Sequence, residues 1–189
     1  MHIHTSTEDI THKLHRFHES TKGHLLELRK TLSTRLHRSD CISYFTYALQ
    51  LSHDVSQESF CLGSYHIFNT GTVPLTTPHI RFTLSEGAPF SFHGKFVSNA
   101  ATLSSKLANG WQRVNESSDK FLFDLQPIVN EVIGPGETLS FTNFQLTWSP
   151  SKTYAGSMTA LFFSNQFPNG IPALNSIDIN GSMRIKERP

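Results

Sequence analysis

Imidazoles are the densest reactive groups in this 189-residue chain: seven of its eleven histidines lie among residues 1–39. His12, His15 and His18 follow one another at intervals of three, and His2 and His4 precede them. Neighbours at i and i+3 on a helix can share a metal ion. Each step of three also turns the helix by about 60°, so the three rings do not converge on one ion. No cysteine or carboxylate spacing completes a ligand set. The run therefore reads as a solvated histidine-rich face with no metal and no other cofactor. Its protonation near neutral pH would add positive charge and oppose self-association.

Other chemistries have weaker carriers. Serines are plentiful, but no G-x-S-x-G elbow presents a nucleophile, and Ser91 and His93 are alternate residues of one strand. Phosphate-binding loops and dinucleotide fingerprints are missing. The expectation is a protein that is not an enzyme. Trp111 follows Asn109-Gly110 in a stretch that reads as a loop. It is the candidate ligand contact for a lectin-like site that takes carbohydrate or peptide. Trp148 closes a strand and reads as core. Lys22, Arg29, Lys30, Arg35 and Arg38 are diluted by Glu8, Asp9, Glu19 and Glu27, and the whole chain has a net charge of +1. Nucleic acid is therefore not an expected partner.

Two kinds of element must hold these groups. Residues 1–39 carry seven Lys/Arg against four Asp/Glu, with no proline and only Gly23 as glycine. All nine prolines and ten of the eleven glycines come later. That shift divides the chain into a helical arm, 1–40, and a β-sandwich domain, 41–189. In the arm, Ile10, Leu14, Phe17, Leu25, Leu28, Leu32 and Leu36 recur at helical spacing, with Thr21 in the one gap. This keeps one face apolar. Leu14, Leu25 and Leu36 are eleven apart, which suits a nearly straight packing seam. Thr5 and Glu8 predict a capping-box start, and Ser39-Asp40 an end. A helix of this length is roughly 48 Å long, more than one ten-residue strand of about 33 Å can cover. It should either break near Gly23, folding on its own domain as a helical hairpin, or project in part and pack on another chain.

After residue 40 the pattern changes to alternation. Ile80, Phe82 and Leu84 share one face of a strand. Leu139 and Phe141 alternate, and Phe144, Leu146 and Trp148 resume one step out of phase, predicting a β-bulge at Thr142-Asn143. Further strands are expected over Ile42–Leu51, Phe60–Asn69, Lys120–Gln126, Tyr154–Ser164 and Ile177–Ile185, the last bending at Gly181. Ala100–Asn109 reads as a short helix or surface loop. Turns are signalled at Asn69-Thr-Gly71, Glu86-Gly-Ala-Pro89, Gly134-Pro-Gly136 and Pro168-Asn-Gly170. The pattern is that of a mainly β, antiparallel sandwich behind a long amphipathic helix.

Tyr65 to Leu84, with Asn69-Thr-Gly71 between two strands, and Ile133-Gly-Pro-Gly-Glu137 ahead of another strand, resemble bacterial immunoglobulin-like domains of the CARDB (cell-adhesion-related) kind. The resemblance covers about residues 58–148. It implies the sandwich fold and a non-catalytic role, and it transfers no site residues. Asn69 and Gly71 would take positive φ in their turn, and Pro135-Gly136 would form a type II turn.

Cys41 and Cys61 are the two cysteines. No continuous apolar core marks a secretory leader in the first 30 residues, so free thiols in the cytoplasm are expected. A tight hairpin at Ser52 to Val55 would set Cys61 opposite Thr46. Asn115 and Asn180 head N-x-S sequons that matter only on export. No run of about 18 apolar residues is present, so no membrane span is predicted. The expected function is a structural or protein-interaction module, of the kind found in bacterial or phage assemblies. Its helix face would dock a protein partner or build a homo-oligomer of coiled-coil type.

Overall fold

In the computed structural model, residues 4–52, 54, 56–97, 110–115, 119–129, 131–149 and 153–182 are described, with backbone alone for 4–10 and 34–36. The chain divides into two compact units, Met1–Arg38 and Ser39–Pro189.

In the first unit, helix α1 (His4–Leu36) runs through 33 residues and is roughly 50 Å long. Of the two alternatives, a break at Gly23 does not occur. A Cβ there would meet nothing within 4 Å, so the residue costs only its intrinsic ~1 kcal/mol. That is too little to stop a helix continued by Leu25, Leu26, Glu27, Leu28, Arg29 and Lys30. Thr5 lies inside the helix rather than at its cap, and the helix ends at Leu36, ahead of Ser39-Asp40. In the last turn His37 Nδ1 lies 3.3 Å from the Ser33 carbonyl.

The second unit is built of strands β1 (Cys41–Gln50), β2 (Ser59–Asn69), β3 (Leu75–Thr76), β4 (His79–Leu84), β5 (Ser91–His93), β6 (Phe96–Val97), β7 (Trp111–Arg113), β8 (Leu122–Pro127), β9 (Val132–Ile133), β10 (Thr138–Trp148), β11 (Thr153–Ser164), β12 (Phe167–Pro172) and β13 (Ile177–Ser182). One sheet has the order β1-β2-β10-β5. The other has the order β12-β11-β4-β8-β7-β6, with β13 also paired to β11, and β3 and β9 form a small ladder of their own. The pairings are antiparallel except β6 with β7. The fold is therefore mainly β and antiparallel, preceded by one helix.

Alternation explains the layering. Phe45, Tyr65, Phe141 and Phe144 point inward from the first sheet, and Ile80, Phe82, Phe123 and Phe162 from the second; all are buried. The Phe82 ring lies 5.3 Å from Tyr65, 5.8 Å from Phe45 and 5.6 Å from Phe141, so the two sheets meet face to face. Each such ring pair adds about 0.5–1.5 kcal/mol beyond the area it buries.

The predicted bulge is present. The β10–β2 register shifts between Phe141 and Phe144, and Asn143 takes φ 59°. The extra residue returns Phe144 to the inner face, where its ring lies over Gly63, its partner across the ladder. A Cβ on Gly63 would enter that ring. The Gly134–Glu137 turn is type II in form. Glu137 N–H donates to Gly134 O at 3.0 Å, and Gly136 has φ +76°.

Several expectations are corrected. Cys61 pairs with Leu49, not Thr46, because a longer connection replaces the tight hairpin. Pro168-Asn-Gly170 lies inside β12, and the reversal comes earlier, at Asn165-Gln166. Asn69 and Gly71 do not take positive φ; Asn69 ends β2 as a buried residue. Trp111 begins a strand rather than sitting in a loop. Ala100–Asn109, Met183 and Ile185 lie outside the described residues.

Candidate interaction surfaces

Leu14, Phe17, Leu25, Leu28 and Leu32 are all 57–72% exposed on α1. At 3.6 residues per turn they fall within an arc of about 80°. Thr21 continues this arc, its hydroxyl donating to the Phe17 carbonyl at 2.8 Å. By position Ile10 falls in this arc and Leu36 about 20° beyond its edge, and their side chains lie outside the described residues. Lys22 and Arg29 flank the stripe on one side and Lys13 on the other, while Glu19 and Glu27 lie on the far side. Leu26, 59% exposed, stands off the stripe. Within the helical unit no second layer covers this face, and each side chain would gain about 1.5–3 kcal/mol on full burial. His12, His15 and His18 are exposed and are not brought together. Among the described residues no group of His, Cys, Asp or Glu is arranged to hold a metal ion.

In the β unit, Trp111 is only 6% exposed. Its ring meets Phe141 edge-on at 5.5 Å. An indole packed in this way offers no face to a sugar, so the sequence-based ligand contact at Trp111 is corrected to a core position. Three-residue β7 holds it there by pairing with β8 on one side and β6 on the other. Trp148 is core, as its strand position indicated.

The polar groups that do meet are cross-strand. His66 Nδ1 lies 2.8 Å from Ser140 Oγ, and Nε2 lies 3.0 Å from Thr46 Oγ1. Both ring nitrogens are occupied by hydroxyls, so no carboxylate orients the ring as a catalytic base. On the outer face of the second sheet, Arg81 donates to both Asp124 oxygens, at 2.7 and 2.9 Å. His79 stacks on Phe163 at 5.4 Å, with Nε2 3.5 Å from Asp124 Oδ1. Burial raises the Asp124 pKa, but the bonds and charge of Arg81, helped by His79, outweigh burial and hold the carboxyl below the usual range. Burial is the main reason that His79 is held below its ordinary value. The cluster is a paired charge on which the His79 and Phe163 rings stack, with the Arg81 guanidinium 5.6 Å from the Phe163 ring centre.

Two further residues were not singled out for their roles by sequence reasoning. Asn69 is fully buried, and its Nδ2 donates to Val73 O and Ile133 O, both at 2.9 Å, while Oδ1 accepts from Gly71 N–H at 2.9 Å. It braces the end of the first sheet. Asn115, head of a sequon, accepts from Asp124 N–H at 2.9 Å and donates to Leu122 O at 2.8 Å, so its amide is committed to the fold. Cys41 and Cys61 are free, buried thiols, both pushed up to about 11, chiefly by burial. Their distant ladder positions, Cys41 opposite Asn69 and Cys61 opposite Leu49, keep them apart.

No helix of the described residues is long and apolar enough to cross a membrane. No protein-family model matches the chain, and no curated protein matches it. Among solved structures, the chain is similar to the putative ApaA protein from Bordetella pertussis, with a TM-score of 0.36 and 14% identity over 80% of this chain and 98% of that one. It is also similar to a CARDB domain from Pyrococcus furiosus, solved in complex with di-metal ions, with a TM-score of 0.36 and 11% identity over 77% of this chain and 89% of that one. The weak CARDB-like resemblance read from Tyr65–Leu84 and Ile133–Glu137 thus has a CARDB domain among its structural neighbours.

Proposed function

We propose that the chain is a non-catalytic protein-interaction module in which α1 joins copies of the chain through its apolar stripe. The observation that carries this reading is the exposure of Leu14, Phe17, Leu25, Leu28 and Leu32 on one arc of a 33-residue helix. The eleven-residue interval between Leu14 and Leu25, continued to Leu36, gives a seam that two nearly straight helices can share. The β unit serves as the rigid body that such an assembly displays. The reducing cytoplasm suits its two unbridged thiols.

The test is light scattering on the full chain beside Leu25→Asp/Leu28→Asp. The expected result is an oligomer in the first and a monomer in the second, with the body melting unchanged. A full chain that remains monomeric as its concentration is raised about a hundredfold, to the range where μM affinities show, would reject the reading.

A further inference from the structure

The edges of the two sheets are closed in different ways, with one exception. The β12 edge carries Pro168 and Pro172, β13 carries Asp178, and β5 and β6 are three and two residues long. Proline, charge and shortness are the ordinary protections of an edge strand. Strand β1 is ten residues long and has none of them: Phe45-Thr-Tyr-Ala-Leu-Gln-Leu51 contains no charge, proline or glycine.

Half of that edge is closed by a side chain that imitates a strand. Leu174 N–H donates to Ser43 O at 2.7 Å. The Asn175 amide then takes both backbone groups of Phe45, accepting from its N–H at 2.8 Å and donating to its carbonyl at 3.0 Å. Strand parity points the backbone groups of Tyr47 and Leu49 the same way. Among the described residues nothing meets them. Their side chains lie on the inner face with Phe45, yet Tyr47 is 41% and Leu49 44% exposed, whereas Phe45 is buried. The open template is thus Thr46–Gln50, about 17 Å of strand.

The geometry points to a second copy of the chain as the occupant, its own β1 added antiparallel about a two-fold axis at Ala48. In that register Tyr47 and Leu49 exchange backbone bonds with the partner's Leu49 and Tyr47. Their apolar side chains then meet on one face. Ala48, the smallest side chain of the run, faces itself on the other. Two uncharged strands meet without the like-charge repulsion that lysine-bearing edges impose. The short ladder ends where Asn175 already occupies Phe45, so it is small against the ~1,200–2,000 Å² of a stable complex and forms a weak contact. This contact uses no residue of α1 and does not depend on the helix reading.

Cross-linking can trap a weak symmetric pair. Side chains directly opposite in a non-hydrogen-bonded pair have Cβ atoms about 4.5–5.5 Å apart, close to disulfide range. Ala48→Cys in the full chain should oxidise to a covalent dimer at least about tenfold faster than Thr46→Cys or Gln50→Cys, which face each other and not themselves. The double variant Thr46→Cys/Gln50→Cys should regain the fast rate. The native thiols are buried and do not compete. Repeating the series in Leu25→Asp/Leu28→Asp separates the two interfaces. A faster Ala48→Cys rate in either background supports the edge pairing, whatever α1 does. Equal rates at all three positions in both backgrounds overturn it, even where the full chain proves oligomeric.

Discussion

Both units place large apolar side chains at regular intervals, and they dispose of them in opposite ways. In the β unit the period is two, and the second sheet covers what the first presents; Phe82 meets rings from β1, β2 and β10. In α1 the period is that of a helix, and Leu14, Phe17, Leu25, Leu28 and Leu32 stand exposed. The same residue types therefore carry different free energy. A body side chain holds its own fold together, whereas a stripe side chain holds a contribution that is realised only on contact with another surface. Strand β1 joins the two cases in one element, with Phe45 buried and Tyr47 and Leu49 uncovered.

The largest test of this contrast pairs Phe82→Ala with Leu28→Ala. The first should cost the β unit about 3–5 kcal/mol in denaturant melts, near the whole stability of many domains. The second should leave that melt within about 0.5 kcal/mol and act only on association. A β-unit melt that falls equally in both would erase the distinction. Asn69→Ala should follow in size. It removes the donor to Val73 O and Ile133 O, while Gly71 N–H keeps the Asp40 carbonyl at 2.9 Å, and an unmet buried group costs about 1–3 kcal/mol. Gly63→Ala pushes a Cβ into the Phe144 ring and should cost about 1–3 kcal/mol, since the bulge leaves the ring no second inner position. Calorimetry of each variant beside the parent would rank them.

The smallest effect is on pH. His79 is held below its ordinary value in the fold, so the unfolded chain takes up its proton first. Stability should be full above about pH 6.5 and fall as pH drops toward the folded-state value. Asp124 is also held low, so its contribution persists through that range and is lost only at more acid pH, as the carboxyl protonates. Replacing His79 by Gln should flatten the first limb and leave the second. An unchanged profile between pH 7 and 5 would show that the first limb belongs to another group.

How far the fold was legible depended on how local the deciding forces were. The alternation at Ile80, Phe82 and Leu84, the slip at Thr142-Asn143 and the Gly134–Glu137 turn are written in neighbouring residues, and the structure has all three. Trp111 was misread because its strand is three residues long, follows Asn109-Gly110, and exists through pairing with β8 and β6. Pro168-Asn-Gly170 carries a turn signal, yet it lies on an edge strand. There a proline owes no ladder bond, and Gly170, at φ +78°, fits under the Phe163 ring. The Cys61 register depended on the length of the β1–β2 connection, which alternation alone cannot count. The spacing that puts Leu14, Phe17, Leu25, Leu28 and Leu32 on one exposed arc was legible, because helical spacing is a local property. The open half of β1 was not, since it depends on Asn175, 130 residues from Phe45.

Asn69 has a kinetic corollary. Its amide joins Ile133, 64 residues away, to the turn that follows β2. Closing so large a loop comes late for entropic reasons, so this brace should form after the rate-limiting barrier has been crossed. Its loss would then quicken unfolding and leave the refolding limb of a chevron nearly in place, making Asn69 a determinant of how long the native body lasts once formed.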